Sequence, residues 1–217
     1  MDYLNKFLQE IQSPDPEVRR KGAYGLWKRA DPVTFPYLMS ALDDEDSRVR
    51  TYAIAGLGWI GNTECVPRLI QALSDDDYMI RATAAESLGY LKDVRATPAL
   101  IERLDDNDRS VREEAVLSLG TFKDPVVLPH LMRMLQDESL DVRCEAASAL
   151  GRFRDQRAVI PLIGLLNDSE ENLRAEAASS LGDLGSSEAV PKLCELTQDL
   201  SANVRTRVTE ALGAIGD

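Results

Sequence analysis

The chain has 217 residues, and its 25 Lys and Arg stand against 37 Asp and Glu, which gives a formal net charge of −12. A protein that grips a phosphate backbone needs a basic stripe, so this charge argues against nucleic-acid binding. No apolar run approaches the roughly 18 residues that a membrane span requires. The three cysteines, which are far apart, are typical of a reducing compartment. We therefore expect an acidic cytoplasmic protein that binds no nucleic acid and does not insert into a membrane.

One residue pattern recurs every 31 positions along the whole chain. Its marker is an arginine that follows Val, Ile or Leu and precedes a leucine by seven positions; the markers are Arg19, Arg50, Arg81, Arg112, Arg143, Arg174 and Arg205. Glycine follows that leucine in six units, whereas the first unit has Trp27 there. An uninterrupted period of this length predicts stacked structural units. We expect one domain, residues 1–217, made of repeats 1–31, 32–62, 63–93, 94–124, 125–155, 156–186 and 187–217.

Each repeat is expected to form two helices. The first has apolar residues at helical spacing, and an acidic turn such as Ser74–Asp77 then caps the second. The recurring glycine lies inside or near the end of the second helix, where tight packing is its expected role. One helix pair cannot bury its apolar face alone, but stacked pairs share a continuous core. The sequence therefore predicts an all-α fold, an α-solenoid of seven stacked two-helix repeats.

This repeat resembles the HEAT repeat, and its short period is similar to that of the HEAT-like repeats in phycobilin lyases and phycobilisome-degradation proteins. The sixth unit carries the pattern in Ala158, Val159, Leu162, Leu166, Asp168, Leu173, Arg174, Ala177, Ala178, Leu181 and Gly182. The resemblance covers essentially the whole chain. It implies the solenoid fold, and it implies either an adaptor or a factor that acts on phycobiliproteins.

A column of aspartates stands six positions before the arginines from the second unit onward. We interpret the two columns as a structural ladder that joins neighbouring repeats, made by Asp44, Arg50, Asp75, Arg81, Asp106, Arg112, Asp137, Arg143, Asp168, Arg174, Asp199 and Arg205. No catalytic, cofactor-binding or metal-binding motif is recognisable, so we expect no catalytic residue, no cofactor and no metal. Cys194 shares a column with aliphatic residues and is expected in the core, whereas Cys144 is expected on the surface.

All six tyrosines and both tryptophans lie in the first 90 residues, and these are the residue types that binding hot spots favour. Positions 2, 5 and 9 after each arginine fall on the side of the second helix opposite the core, which we expect to line a concave surface. There we predict a partner-binding face that consists of Lys21, Tyr24, Lys28, Tyr52, Trp59, Glu86 and Tyr90. Tyr3, Trp27 and Tyr37 are interpreted as packing at the N-terminal end.

Two functions follow from these observations. The first is a non-enzymatic scaffold or adaptor, a monomer that binds another protein on its concave face. The alternative rests on the resemblance alone: a bilin lyase subunit or a chromophore-detaching, phycobilisome-degradation protein. In that case a linear tetrapyrrole would lie against Tyr52, Trp59 and Tyr90, with Arg20, Lys21 or Lys28 beside its propionates.

Overall fold

A computed structural model describes residues 3–122 and 124–216 of the chain. Met1, Asp2, Lys123 and Asp217, which belong to the first, fourth and seventh predicted repeats, lie outside the described residues. All regular secondary structure in the described ranges is helical. Over the same ranges, no helix combines the length and the apolar character that crossing a membrane requires.

Short and long helices alternate along the chain. The first helices of the repeats are α1 (Tyr3–Glu10), α3 (Phe35–Ala41), α5 (Val66–Ala72), α7 (Thr97–Arg103), α9 (Leu128–Met134), α11 (Val159–Leu165) and α13 (Val190–Glu195). The second helices are α2 (Pro16–Arg29), α4 (Ser47–Ile60), α6 (Tyr78–Leu91), α8 (Arg109–Phe122), α10 (Leu140–Phe153), α12 (Glu171–Leu184) and α14 (Ala202–Gly216). The predicted all-α solenoid of helix pairs is confirmed.

The chain forms two compact units, Met1–Ser118 and Leu119–Asp217. In the first unit, α2 packs against α4 and α4 against α6, while α1, α3 and α5 each pack against the second helix of their own repeat. In the second unit, α10 packs against α12 and α12 against α14, and α9, α11 and α13 pack in the same way. The core of each unit therefore lies between a row of second helices and a row of first helices.

Aspartates at the helix starts explain where the second helices of the first three repeats begin. Asp46 precedes α4, and its carboxylate accepts a hydrogen bond from the backbone N–H of Arg48 at 3.0 Å. Asp77 precedes α6 and accepts from the N–H of Met79 at 2.9 Å. Each bond pairs a backbone donor that the helix itself leaves free, as expected from the acidic turns.

The recurring glycines sit where neighbouring second helices touch. A Cβ atom on Gly58 would lie 2.7 Å from the Cβ of Ser87, and one on Gly151 would lie 2.8 Å from the Cβ of Ser180. Real Cβ atoms do not approach this closely, so only glycine allows the observed helix spacing. The predicted role in tight packing is confirmed at these positions, whereas a Cβ on Gly213 would meet no atom within 4 Å.

The repeating arginine connects its own turn to the next repeat. Arg81 donates to the backbone oxygen of Asp75 at 2.9 Å, and its Nε and Nη2 atoms reach the carboxylate of Asp106 at 2.8 and 2.7 Å. Arg19 with Asp44 and Arg174 with Asp199 repeat this two-bond arrangement. The two charges are joined by parallel hydrogen bonds, which fixes the geometry between repeats.

Candidate partner-binding surface

Six aromatic side chains lie on the second helices of the first three repeats, all within the unit Met1–Ser118, and five of them make ring contacts along one surface. We call this surface the ring face; its members are Tyr24 and Trp27 on α2, Tyr52 and Trp59 on α4, and Tyr90 on α6. Trp59 is 64% exposed, Tyr90 51% and Tyr24 46%, whereas Trp27 and Tyr52 are half-buried. Large rings are rarely left this open to water on a protein with no partner, so the surface is a candidate interaction site.

Three of these rings form one cluster at the N-terminal end of the face. Trp27 stacks on Tyr52 with ring centroids 5.6 Å apart, and Tyr24 contacts both rings edge-on, at 5.7 and 5.4 Å. The ammonium group of Lys28 lies 4.4 Å from the Trp27 ring centroid, within the range of a cation–π interaction. We call these three rings the Trp27 cluster.

Trp27 can join the cluster because the large and the small residue have changed sides at the contact between α2 and α4. It stands where the later repeats have glycine, and the position that faces it in the next repeat is Gly56, where those repeats have serine or alanine. A Cβ on Gly56 would lie 3.4 Å from the Cα of Trp27. The interpretation of Trp27 as end packing was incomplete, since its ring also belongs to the exposed surface. Tyr3, interpreted in the same way, is 68% exposed, which contradicts a packing role.

The other two rings form a separate pair. Trp59 and Tyr90 meet edge-on with centroids 5.9 Å apart. The Tyr90 hydroxyl donates a hydrogen bond of 2.6 Å to Glu86. This bond, with burial and the charges of Glu86 and Glu114, raises the pKa of Tyr90 to about 12. The hydroxyl therefore stays protonated at neutral pH and keeps the Glu86 carboxylate in place beside the rings.

Charge is unevenly distributed around these rings. Lys21 and Lys28 are exposed in the first repeat, whereas the acidic Glu86 and Glu114 are half-buried in the third and fourth. Arg20 does not join the two lysines, because its guanidinium pairs with Asp46 and Glu17. Of the three cations named as alternatives beside a ligand propionate, Lys21 and Lys28 are therefore the exposed ones. The face is basic at one end and acidic at the other.

One of the three cysteines is placed differently from expectation. Cys194 is exposed and not in the core; its column runs along the rim of the first helices, where Ile70 and Ile101 are also only half-buried. Cys144 is half-buried, and burial together with the Glu176 charge raises the pKa of its thiol to about 11. Burial raises the pKa of the Cys65 thiol to about 11 as well. Both groups are therefore protonated, weakly nucleophilic thiols at neutral pH.

Comparison with known proteins identifies the repeat. The family model for HEAT repeats matches residues 4–66, 49–117, 66–142, 97–172 and 161–217. A protein of Pseudanabaena tenuis named "Uncharacterized phycocyanin operon protein Z" is 36% identical over 58 residues. That match covers 27% of this chain and 29% of the operon protein, so it spans less than a third of that protein's length.

Solved structures give matches over nearly the full chain. A chain in the complex of CpcE and CpcF of phycocyanin lyase from a Nostoc species is 26% identical, with a TM-score of 0.66, over 98% of this chain and 94% of that chain. The Escherichia coli protein YibA is 22% identical with a TM-score of 0.76, over 99% and 81% of the two chains; this second likeness shows the fold alone. The chain thus belongs to the HEAT-repeat family, and it is similar to a subunit of phycocyanin lyase.

Proposed function

We propose that this protein is a binding scaffold that acts on phycobiliproteins. It holds a partner protein against the ring face and supplies no catalytic group of its own. The single observation that carries the proposal is the likeness to a chain of the phycocyanin lyase complex, which extends over 98% of this chain. The ring face then provides a physical means of holding the partner.

The composition of the ring face supports protein binding. Tryptophan and tyrosine are enriched among the residues that dominate interface energies, and they work best when packed around a shared centre. Trp59 and Tyr90 stand side by side and are both more than half exposed, so a partner can bury them together. The stacked Trp27 cluster beside them offers a rigid surface that loses little conformational entropy on binding.

Two further observations support a scaffold that works within an assembly. The similar lyase chain was solved in a complex of CpcE and CpcF, so a second chain is a natural partner here as well. The raised pKa values of the Cys65 and Cys144 thiols disfavour these groups as nucleophiles. We therefore assign the chain a binding role and leave the bond-forming chemistry to its partners.

A second candidate function is favoured by the exposed lysines. Lys28 lies against the Trp27 ring, and Lys21 is exposed on the same helix. Flat rings flanked by cations suit a linear tetrapyrrole with two propionates. Mixing the protein with free bilin and recording visible absorbance tests this: a shifted, protein-bound spectrum supports it, and an unchanged spectrum, with or without a phycobiliprotein subunit present, rejects it.

The scaffold proposal predicts that Trp59→Ala weakens binding to a phycocyanin subunit about tenfold or more, as expected for an anchor residue. The melting temperature should remain close to that of the wild type, because the indole is 64% exposed. Titration calorimetry with purified phycocyanin subunits measures the affinity. The matched control is Tyr78→Ala, which removes a ring that is 46% exposed at the start of α6. A lower melting temperature with unchanged affinity, or a wild type that binds no phycocyanin subunit, contradicts the proposal.

A further inference from the structure

The two ring groups of the ring face differ in the charge that accompanies them. The Trp27 cluster already carries a cation, since the Lys28 ammonium lies 4.4 Å from the Trp27 centroid. Tyr90, which contacts the Trp59 ring, instead stands beside carboxylates: Glu86 accepts the Tyr90 hydrogen bond, and the charge of Glu114 reaches the same hydroxyl. The second group is therefore an aromatic surface with a negative edge.

The positions of four residues make this edge accessible. Ala55 and Trp59 are four residues apart on α4, and Glu86 and Tyr90 are four apart on α6, so each pair shares one helix face. The repeat of 31 residues sets Ala55 opposite Glu86 and Trp59 opposite Tyr90. Ala55 is small, both Ala55 and Glu86 are half-buried, and Trp59 is 64% exposed, so none of the three is closed to a side chain of a partner.

An aromatic ring next to a carboxylate is a suitable site for a cation, and a guanidinium suits it best. Arginine stacks its flat guanidinium on an indole and still donates hydrogen bonds from its edge, whereas the lysine ammonium is a compact, strongly hydrated point charge. The Glu86 carboxylate can receive such a bond while it holds Tyr90, because an ionised carboxylate has about four acceptor positions. Tyr90 contributes by fixing the orientation of that carboxylate.

We propose that Ala55, Trp59, Glu86 and Tyr90 form a binding site for an arginine side chain of the partner protein. The guanidinium stacks on Trp59 and donates to Glu86. Lys28 repels the same group from the Trp27 cluster, so the partner binds in one direction along the face. This inference rests on the proposed function for the existence of a protein partner, but its arginine chemistry rests on this chain alone.

The indole N–H signals of the two tryptophans allow a direct test by two-dimensional NMR. The probe is N-acetyl-arginine methylamide, with the corresponding lysine and glutamine compounds as comparisons. We expect the Trp59 signal, assigned with Trp59→Phe, to shift saturably with the arginine compound and about threefold more weakly with the lysine compound. The uncharged glutamine compound should leave it in place. An equal response to all three compounds, or none to arginine, overturns the site.

A pair of variants with the same charge change isolates Glu86. Glu86→Gln should weaken arginine binding about threefold or more, because it removes the charged acceptor. Glu176→Gln, a change of a half-buried glutamate in the sixth repeat, should leave it unchanged. If both variants weaken binding of the arginine compound equally, the net charge of the protein explains the effect and the proposal is overturned. Phycocyanin capture without any arginine response also refutes this site, whereas an arginine response without capture refutes only the proposed function.

Discussion

Two neighbouring helix junctions of the first unit solve the same packing problem in opposite ways. Between α4 and α6, Gly58 carries no side chain and Ser87 fills the space in front of it, 2.7 Å from where a Cβ would lie. Between α2 and α4, the large residue stands on the other side: Trp27 takes the glycine position and Gly56 takes the position of the serine. At each of the two helix contacts, one of the two facing residues is a glycine.

A regular repeat can thus gain an aromatic surface while its helices still stack. Because Gly56 yields space at the contact, the indole of Trp27 extends over the next helix and stacks on Tyr52 at 5.6 Å. At the contact between α4 and α6, Ser87 instead donates a hydrogen bond to the backbone oxygen of Ile54 at 3.2 Å. The contact between α2 and α4 thus has a half-buried ring stack where the contact between α4 and α6 has a buried hydrogen bond.

The largest expected effect on stability comes from adding a side chain at the contact between α4 and α6. Gly58→Val should lower the free energy of unfolding by about 3 kcal/mol, because the added atoms press on Ser87 and on its Cα, 3.0 Å from the new Cβ. Urea titration measures it. The same substitution at Gly213, where a Cβ meets no atom within 4 Å, serves as the control; it should stay within about 0.5 kcal/mol of the wild type. Equal losses at both sites would mean that helix propensity, and not packing, decides the effect.

Replacing Trp27 by glycine and Gly56 by serine, the residues found at the contact between α4 and α6, should reveal energetic coupling between the two positions. Trp27→Gly alone should cost about 2 kcal/mol through lost ring burial, and Gly56→Ser alone about 1 kcal/mol, because its Cβ would lie 2.8 Å from Leu38. The double variant should lose less than the sum by about 0.5 kcal/mol, since the serine gains the space that the ring vacates while its contact with Leu38 remains. A double-mutant cycle from urea midpoints measures this coupling. Strict additivity would contradict the exchange of volume between the two positions.

The smallest effect concerns acid stability, where the two junctions also differ. Asp46 caps α4 and pairs with Arg20, whereas the equivalent Asp77 caps α6 opposite Thr51. The hydrogen bond from Arg20, with those from the Val49 and Arg48 amides, holds the pKa of Asp46 below its usual value, although burial opposes this. A carboxylate with a lowered folded-state pKa stabilises the fold above its unfolded pKa of about 4 and loses that contribution as the pH falls further.

Asp46→Asn should therefore cost about 1 kcal/mol at neutral pH, since it keeps the cap but removes the charge. The variant should also lose less stability than the wild type when the pH falls below about 4. Urea midpoints at neutral and acid pH test both statements. Asp77→Asn is the matched control and should show about half the cost or less. If the two variants respond alike, the Arg20 pair has no energetic role at the first junction.

Much of this architecture could be predicted from the sequence because the same residue pattern occurs in all seven repeats. An arginine column facing an aspartate column, a glycine column and acidic helix starts each have one simple structural explanation, and the structure contains examples of all three. The exposure of Tyr24, Trp59 and Tyr90 also agrees with their position on the helix face opposite the core. Their role in binding stays a prediction.

The errors concern residues whose placement depends on a neighbour in another repeat. Trp27 joins the ring face only because Gly56 makes room, and reading the two columns together would have found it. The ion pair of Arg20 with Asp46 also joins two repeats, and spacing within one repeat does not reveal it. Cys194 shares an aliphatic column, but burial of that column is partial, which spacing within one helix does not reveal.

The most direct test of the central claim is fluorine NMR of the protein labelled with 5-fluorotryptophan, which gives one resonance for Trp27 and one for Trp59. A phycocyanin subunit is added, and its binding is verified in the same sample by co-elution. If the ring face holds the partner, both resonances shift, and that of Trp59, at 64% exposure, shifts more. A co-eluting complex in which both resonances stay unchanged would place the partner elsewhere and contradict the account.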